Sequence, residues 1–158
     1  MAQNMADELQ KFLTELMQEV TAAATAAGAL TRTVLVENMA SRLVEGEELQ
    51  DWTPCYFEGR GARNRVLELD GYSTEDLELD GTVDVLIVIQ SDNASIETLS
   101  SVGVNAAFNR AVAFVADARR GTLHDEIEPS TPAADFARTV FNARESIRAL
   151  RASSQPCR

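Results

Sequence analysis

Apolar side chains at Leu9, Phe12, Leu13, Leu16, Met17 and Val20 recur at helical spacing, with Gln10, Glu15 and Gln18 on the opposite side. This pattern predicts an amphipathic helix over residues 6–27, with Gly28 as its C-cap. The alanines at 22–24 and 26–27 predict a close helix contact. A second helix is predicted over residues 31–44, burying Leu35, Met39 and Leu43 and ending at Gly46.

Beyond residue 50 the period shortens. Residues 52–57 are aromatic and contain Pro54, which fits an edge strand because proline cannot donate to a ladder. Residues 63–69 alternate around Val66 and Leu67, and Asp70-Gly71 and Asp80-Gly81 read as turns. Residues 83–90 are nearly continuously apolar and β-branched, which predicts the most buried strand. The string Leu-Glu-Leu-Asp-Gly at 67–71 recurs at 77–81, as two strand ends sharing turn chemistry and not as a repeat unit. Helical spacing then returns over residues 96–119, where Leu99, Phe108, Val112 and Val115 form the apolar stripe and Gly121 follows the end. After a loop at 126–131, Thr131-Pro132 supplies an N-cap and a first-turn proline. The last helix carries Phe136, Val140, Ala143, Ile147 and Leu150 on one face. Together these elements predict an α/β (α+β) domain over residues 1–151. A small central sheet of three to four strands is flanked by N-terminal and C-terminal helices, and residues 152–158 form a polar tail.

Composition narrows the partners. The 158 residues carry 25 Asp and Glu against 14 Lys and Arg, a formal net charge of −11. Polyphosphates are repelled by such a surface except where arginines cluster, at Arg60, Arg63 and Arg65 and at Arg119 and Arg120. Weak or no nucleic-acid binding is therefore expected. No signal peptide precedes the first helix, and the apolar run 85–89 is too short to span a bilayer, so a cytoplasmic protein without membrane contact is expected. Cys55 and Cys157 show neither zinc-site nor disulfide-framework spacing.

Catalytic options are few. His124 is the one histidine, and it sits in an acidic loop. Walker-type, dinucleotide-binding and zinc-protease motifs are absent. Carboxylates remain: Glu37 in the second helix, Asp70 at a strand end and Asp84 at the start of the next strand. A helix acid with acids on two neighbouring strands is a layout that holds Mg²⁺ for phosphodiester hydrolysis, because hard oxygen ligands suit that ion. Asp70 and Asp84 are its candidate metal ligands, and Glu37 completes the candidate catalytic set. The same three acids also suit a turn, a solvated helix face and a strand entrance.

Three segments carry a family resemblance. They are the opening Phe-Leu-Thr-Glu-Leu at 12–16, the strand Val-Leu-Glu-Leu-Asp-Gly-Tyr-Ser at 66–73 with its acidic turn, and Ile-Glu-Pro-Ser-Thr-Pro-Ala-Ala-Asp-Phe-Ala at 127–137. Over residues 6–150 the chain resembles the N-terminal domain of the abortive-infection phage-resistance family. The resemblance implies a role in prokaryotic phage defence, and a C-terminal domain or a separate protein as partner. The order of elements also resembles a restriction-endonuclease core of the PD-(D/E)XK type, in which Asp70 would be the first acid and Glu37 the helix acid. That pattern requires an acid–x–lysine on the next strand. Residues 85–90 offer neither acid nor lysine, and Lys11 is the only lysine in the chain. Gln90 and Arg65 are poor substitutes, since neither restores the missing chemistry. The sequence therefore favours a nuclease-like module without catalysis, serving as scaffold, sensor or interaction domain and requiring no cofactor. A Mg²⁺-dependent nuclease built on Glu37, Asp70 and Asp84 is the alternative.

Overall fold

The computed structural model describes residues 2–49, 51–77, 81–89, 100–123 and 126–153. They form four helices and a three-stranded antiparallel sheet, an α+β fold. The chain gathers into two compact units, Met1–Leu49 with Val88–Val104 and Gln50–Ile87 with Asn105–Arg158.

In the first unit, α1 (Ala2–Ala27) and α2 (Thr31–Glu45) form a helical hairpin. Gly28 adopts φ +63°, the left-handed turn that closes α1 at little cost for a residue lacking Cβ. Leu16, Val20 and Ala24 of α1, and Leu35, Val36 and Ala40 of α2, are the buried residues. Of the alanines expected to make a close helix contact, Ala24 is buried, while Ala22, Ala23, Ala26 and Ala27 are exposed. Other large residues of the predicted stripes stay outside: Leu9, Phe12 and Met39 are exposed. The guanidinium of Arg42 lies 5.6 Å from the Phe12 ring centroid, and an Arg42 Nη stands 3.8 Å from a Glu19 carboxylate oxygen. An Arg32 Nη donates to the Val88 carbonyl at 3.3 Å.

In the second unit, β1 (Thr53–Arg60), β2 (Val66–Ser73) and β3 (Asp84–Leu86) pair in that order. β1 is an edge strand, as Pro54 predicts. A 3-10 turn at Ala62–Asn64 joins it to β2. Helix α3 (Ser101–Arg120), from Asn105 onward, and helix α4 (Pro132–Ser153) complete the unit. Thr131 Oγ1 accepts the Ala134 N–H at 3.3 Å, so the predicted N-cap forms. Four rings stitch the core across four elements. Phe57 of β1 meets Phe114 of α3 edge-on at 5.3 Å, Phe114 stacks with Phe136 of α4 at 5.7 Å, and Phe136 stacks with Tyr72 of β2 at 4.1 Å. Leu67, Leu69, Leu123 and Ala137 fill around them.

Three expectations are corrected. Asp70-Gly71 is no turn: both residues lie within β2, and Gly71 pairs with Pro54 on one side and Leu86 on the other. A Cβ on Gly71 would stand 2.5 Å from the Trp52 ring, so glycine here permits close packing inside a strand. Next, the most buried strand is β2, in the centre, and not the segment after Asp84. Only Asp84–Leu86 pair, at the other sheet edge, although Val88 is buried. Last, the buried face of α3 is Ala113, Phe114, Asp117 and Ala118, while Phe108 and Val112 are exposed. Small alanines let α3 approach the core closely, and this outweighs the bulk of the other stripe. The second Leu-Glu-Leu-Asp-Gly string, His124, Gln90, Leu99 and Cys157 lie wholly or partly outside the described residues.

Candidate functional site

The nominated carboxylates occupy three different settings. Glu37 is exposed on α2, in the first unit. Asp70 is 2% exposed in the middle of the central strand. Asp84 is exposed and pairs with Ser73 at the far end of β2. Ser73 lies three positions beyond Asp70, a displacement of about 10 Å along the strand at about 3.3 Å per residue. Among the described residues no group of three or more His, Cys, Asp or Glu side chains is placed to share a metal ion. Within the second unit Asp70 and Asp84 are therefore set apart along β2, one buried and one exposed.

Asp70 instead belongs to a half-buried polar group on the sheet. Cys55 of β1 lies near it, and burial pushes the Cys55 thiol up to about 12 from 9.0. The Phe57 backbone hydrogen bond works against that rise and the Asp70 charge adds to it. Burial likewise raises Tyr72, with contributions from Cys55 and Asp135. A thiol held protonated in this way is a poor nucleophile and a poor metal ligand at neutral pH.

The most elaborate polar arrangement centres on Asp117 of α3, which is fully buried. Its Oδ1 accepts from an Arg65 Nη at 2.5 Å and from an Arg120 Nη at 3.2 Å. Its Oδ2 accepts the Ala62 backbone N–H at 2.9 Å. Arg65 Nε also donates to the Ala62 carbonyl at 3.2 Å. One carboxylate thus clamps the β1–β2 connection to the C-terminal end of α3. Gly61 makes the fit possible, because a Cβ there would run into Asp117 Oδ2 and stand 2.7 Å from a Leu67 methyl. Both arginines keep solvent contact, with side chains 39% and 60% exposed.

The sequence singled out the arginines but not the acid that gathers them. The available signal was a charged residue on the Ala113–Phe114–Ala118 face of a helix, since a buried acid must find partners. Two further features went unread. Arg110 of α3 pairs with Glu68 of β2 at 2.6 Å. Arg63 and Asn64 sit at φ +59° each, in the left-handed region, on the connection itself.

The family model described as the abortive infection phage resistance protein N-terminal domain matches residues 35–153, well over half of the chain. No match is found among curated proteins or among solved structures. Among the described residues no helix is long and apolar enough to cross a membrane.

Proposed function

The chain belongs to the family of abortive infection phage resistance N-terminal domains, and from that premise we propose that it is a non-catalytic interaction module of a phage-defence protein. The observation that carries this reading is the separation of the carboxylates. Asp70 is buried in the central strand while Asp84 is exposed at its end, so the two strand acids share no cradle for a cation. The missing acid–x–lysine in residues 85–90 supports the same reading, as does the restriction of lysine to Lys11.

A surface suited to a partner is present. Phe108 and Val112 stand one helical turn apart on α3, 65% and 47% exposed. An exposed phenylalanine beside a valine leaves apolar area in water that burial against a partner would stabilise, by about 25 cal/mol per Å². The occupant proposed for this face is the rest of a longer phage-resistance protein, which a family of N-terminal domains calls for.

Plating efficiency of phage on cells expressing the gene that encodes this chain tests the proposal. Asp70→Asn and Asp84→Asn are expected to leave protection unchanged at matched level of folded protein, because in this reading neither acid takes part in catalysis. Phe108→Glu is expected to abolish protection at unchanged protein level. Loss of protection in both carboxylate variants, each still folded, would contradict a non-catalytic role.

A further inference from the structure

We propose that the groove along the open edge of β1 is a docking site for an extended, basic segment of a partner protein, which adds to the sheet as a strand beside β1. Topology supports it first. β1 has β2 on one side only. Successive residues of a paired strand direct their backbone groups to opposite edges, so alternate N–H and C=O groups of residues 57–60 point away from β2. Among the described residues no backbone hydrogen bond ties residues 57–60 to a segment on that side. Such an edge is a template for main-chain pairing with an incoming strand.

The shape of the edge supports it second. A hollow of about 390 Å³ is lined by Cys55, Tyr56 and Phe57 of β1 and by Leu123 and Ile127 of the segment leading into α4. Apolar lining of this kind receives alternate side chains of a docked strand and gives such complexes their specificity. A bulge shapes β1 here. Pro54 pairs with Gly71 and Phe57 with Leu69, so Cys55 and Tyr56 together face the single residue Asp70. Tyr56 takes φ +46°, a left-handed conformation that a bulky residue adopts rarely. A bulge re-aims the side chain it carries, and Tyr56 lines the hollow while remaining 38% exposed. Backbone strain of this kind gathers at ligand clamps.

Charge selects the occupant. Glu126 and Glu128 line the same hollow, and Arg60 is the one cation among its described lining residues. Both acids are exposed, and among the described residues neither forms an ion pair. Glu128 Oε1 accepts from Ser130 Oγ at 3.2 Å, a neutral partner that leaves the charge uncompensated. An Arg60 Nη donates to the Asn64 carbonyl at 3.1 Å. The hollow is therefore negative in a chain of net charge −11, which favours a basic segment and repels a nucleic-acid strand. The groove lies within the second unit and shares no residue with the Phe108–Val112 face, so it stands or falls separately from the proposed function.

Fluorescence anisotropy of a short labelled peptide alternating valine and lysine, titrated with the chain at about 150 mM salt, reads the interaction, and backbone amide NMR locates it. Binding is expected, with shifts at residues 57–60 and at Ile127. The same peptide with every backbone amide N-methylated keeps its charge and loses its donors, and should bind at least about tenfold more weakly. Glu126→Gln with Glu128→Gln should weaken binding about fivefold. Glu47→Gln with Glu48→Gln, an equal change of charge in the first unit, should leave it unchanged, as should Phe108→Glu. Absence of binding would overturn the site. So would equal binding of the N-methylated peptide, equal effects of the two double variants, or shifts confined to other parts of the chain.

Discussion

Arg65 donates to Asp117 across 52 positions of chain, joining the start of the central hairpin strand to the last turn of α3. The carboxylate is fully buried and also holds the Ala62 N–H, so this one side chain decides where the hairpin connection sits. Replacing Asp117 by alanine leaves that N–H without its acceptor and removes two charge-assisted bonds. Because the arginines can return to water, the expected loss is about 3 kcal/mol, less than for a wholly buried pair. Urea unfolding of Asp117→Ala and Arg65→Gln measures it, with the alanine variant the less stable of the two.

Gly61→Ala should destabilise by a separate route. The new methyl would press on Asp117 Oδ2 and Leu67 together, and neither can retreat without disturbing the clamp or the core. A loss of about 1–3 kcal/mol is expected from such overpacking. Adding Asp117→Asn to Gly61→Ala should give less than the sum of the two single effects in a double-mutant cycle, because both act on the same contact.

In the aromatic chain through β1, α3, α4 and β2, Phe136 is an inner link, stacked with both Tyr72 and Phe114. Truncation of a fully buried phenylalanine costs about 3–5 kcal/mol. Phe136→Ala should therefore approach complete unfolding of a domain of ordinary stability, while Phe136→Leu should lose roughly half as much. Thermal melts followed by near-UV circular dichroism distinguish the two.

How much of this was legible in the sequence differs by element. The helices were visible because their spacing and their caps agree, as at Gly28 and at Thr131-Pro132. The pairing of β1 and β2 was half visible: Pro54 marked an edge, but Asp70-Gly71 imitated a turn. The local preference of that dipeptide is overridden by Trp52, which packs where a Cβ would be. The Asp117 clamp was out of reach, because its partner residues are distant in sequence and no spacing rule connects them. Asp70 and Asp84 were separated in the fold by register, which a strand pattern alone does not specify.

Alkaline pH should weaken the second unit. The Cys55 thiol is raised from 9.0 to about 12, and Tyr72 is raised from 10.0. Both groups ionise more readily when unfolded, so from pH 9 upward the unfolded chain binds fewer protons than the folded one and stability falls as pH rises. Below that range these two groups contribute no pH dependence. Denaturant midpoints recorded from pH 7 to about pH 11 should be level at first and then decline, and Cys55→Ser should delay the onset of the decline. In a Cys157→Ser background, Cys55 should also react slowly with a thiol reagent at neutral pH.

The most direct measurement of the central claim is a cleavage assay of the purified chain on single- and double-stranded DNA and RNA, with Mg²⁺ and with Mn²⁺. The account predicts no turnover with either metal, because Asp70 and Asp84 are set apart along β2 and no lysine stands with them. Loss of a single electrostatic group of that kind already costs about 3 kcal/mol in the transition state. Metal-dependent turnover that vanishes in an Asp70→Asn variant of unchanged fold would contradict it.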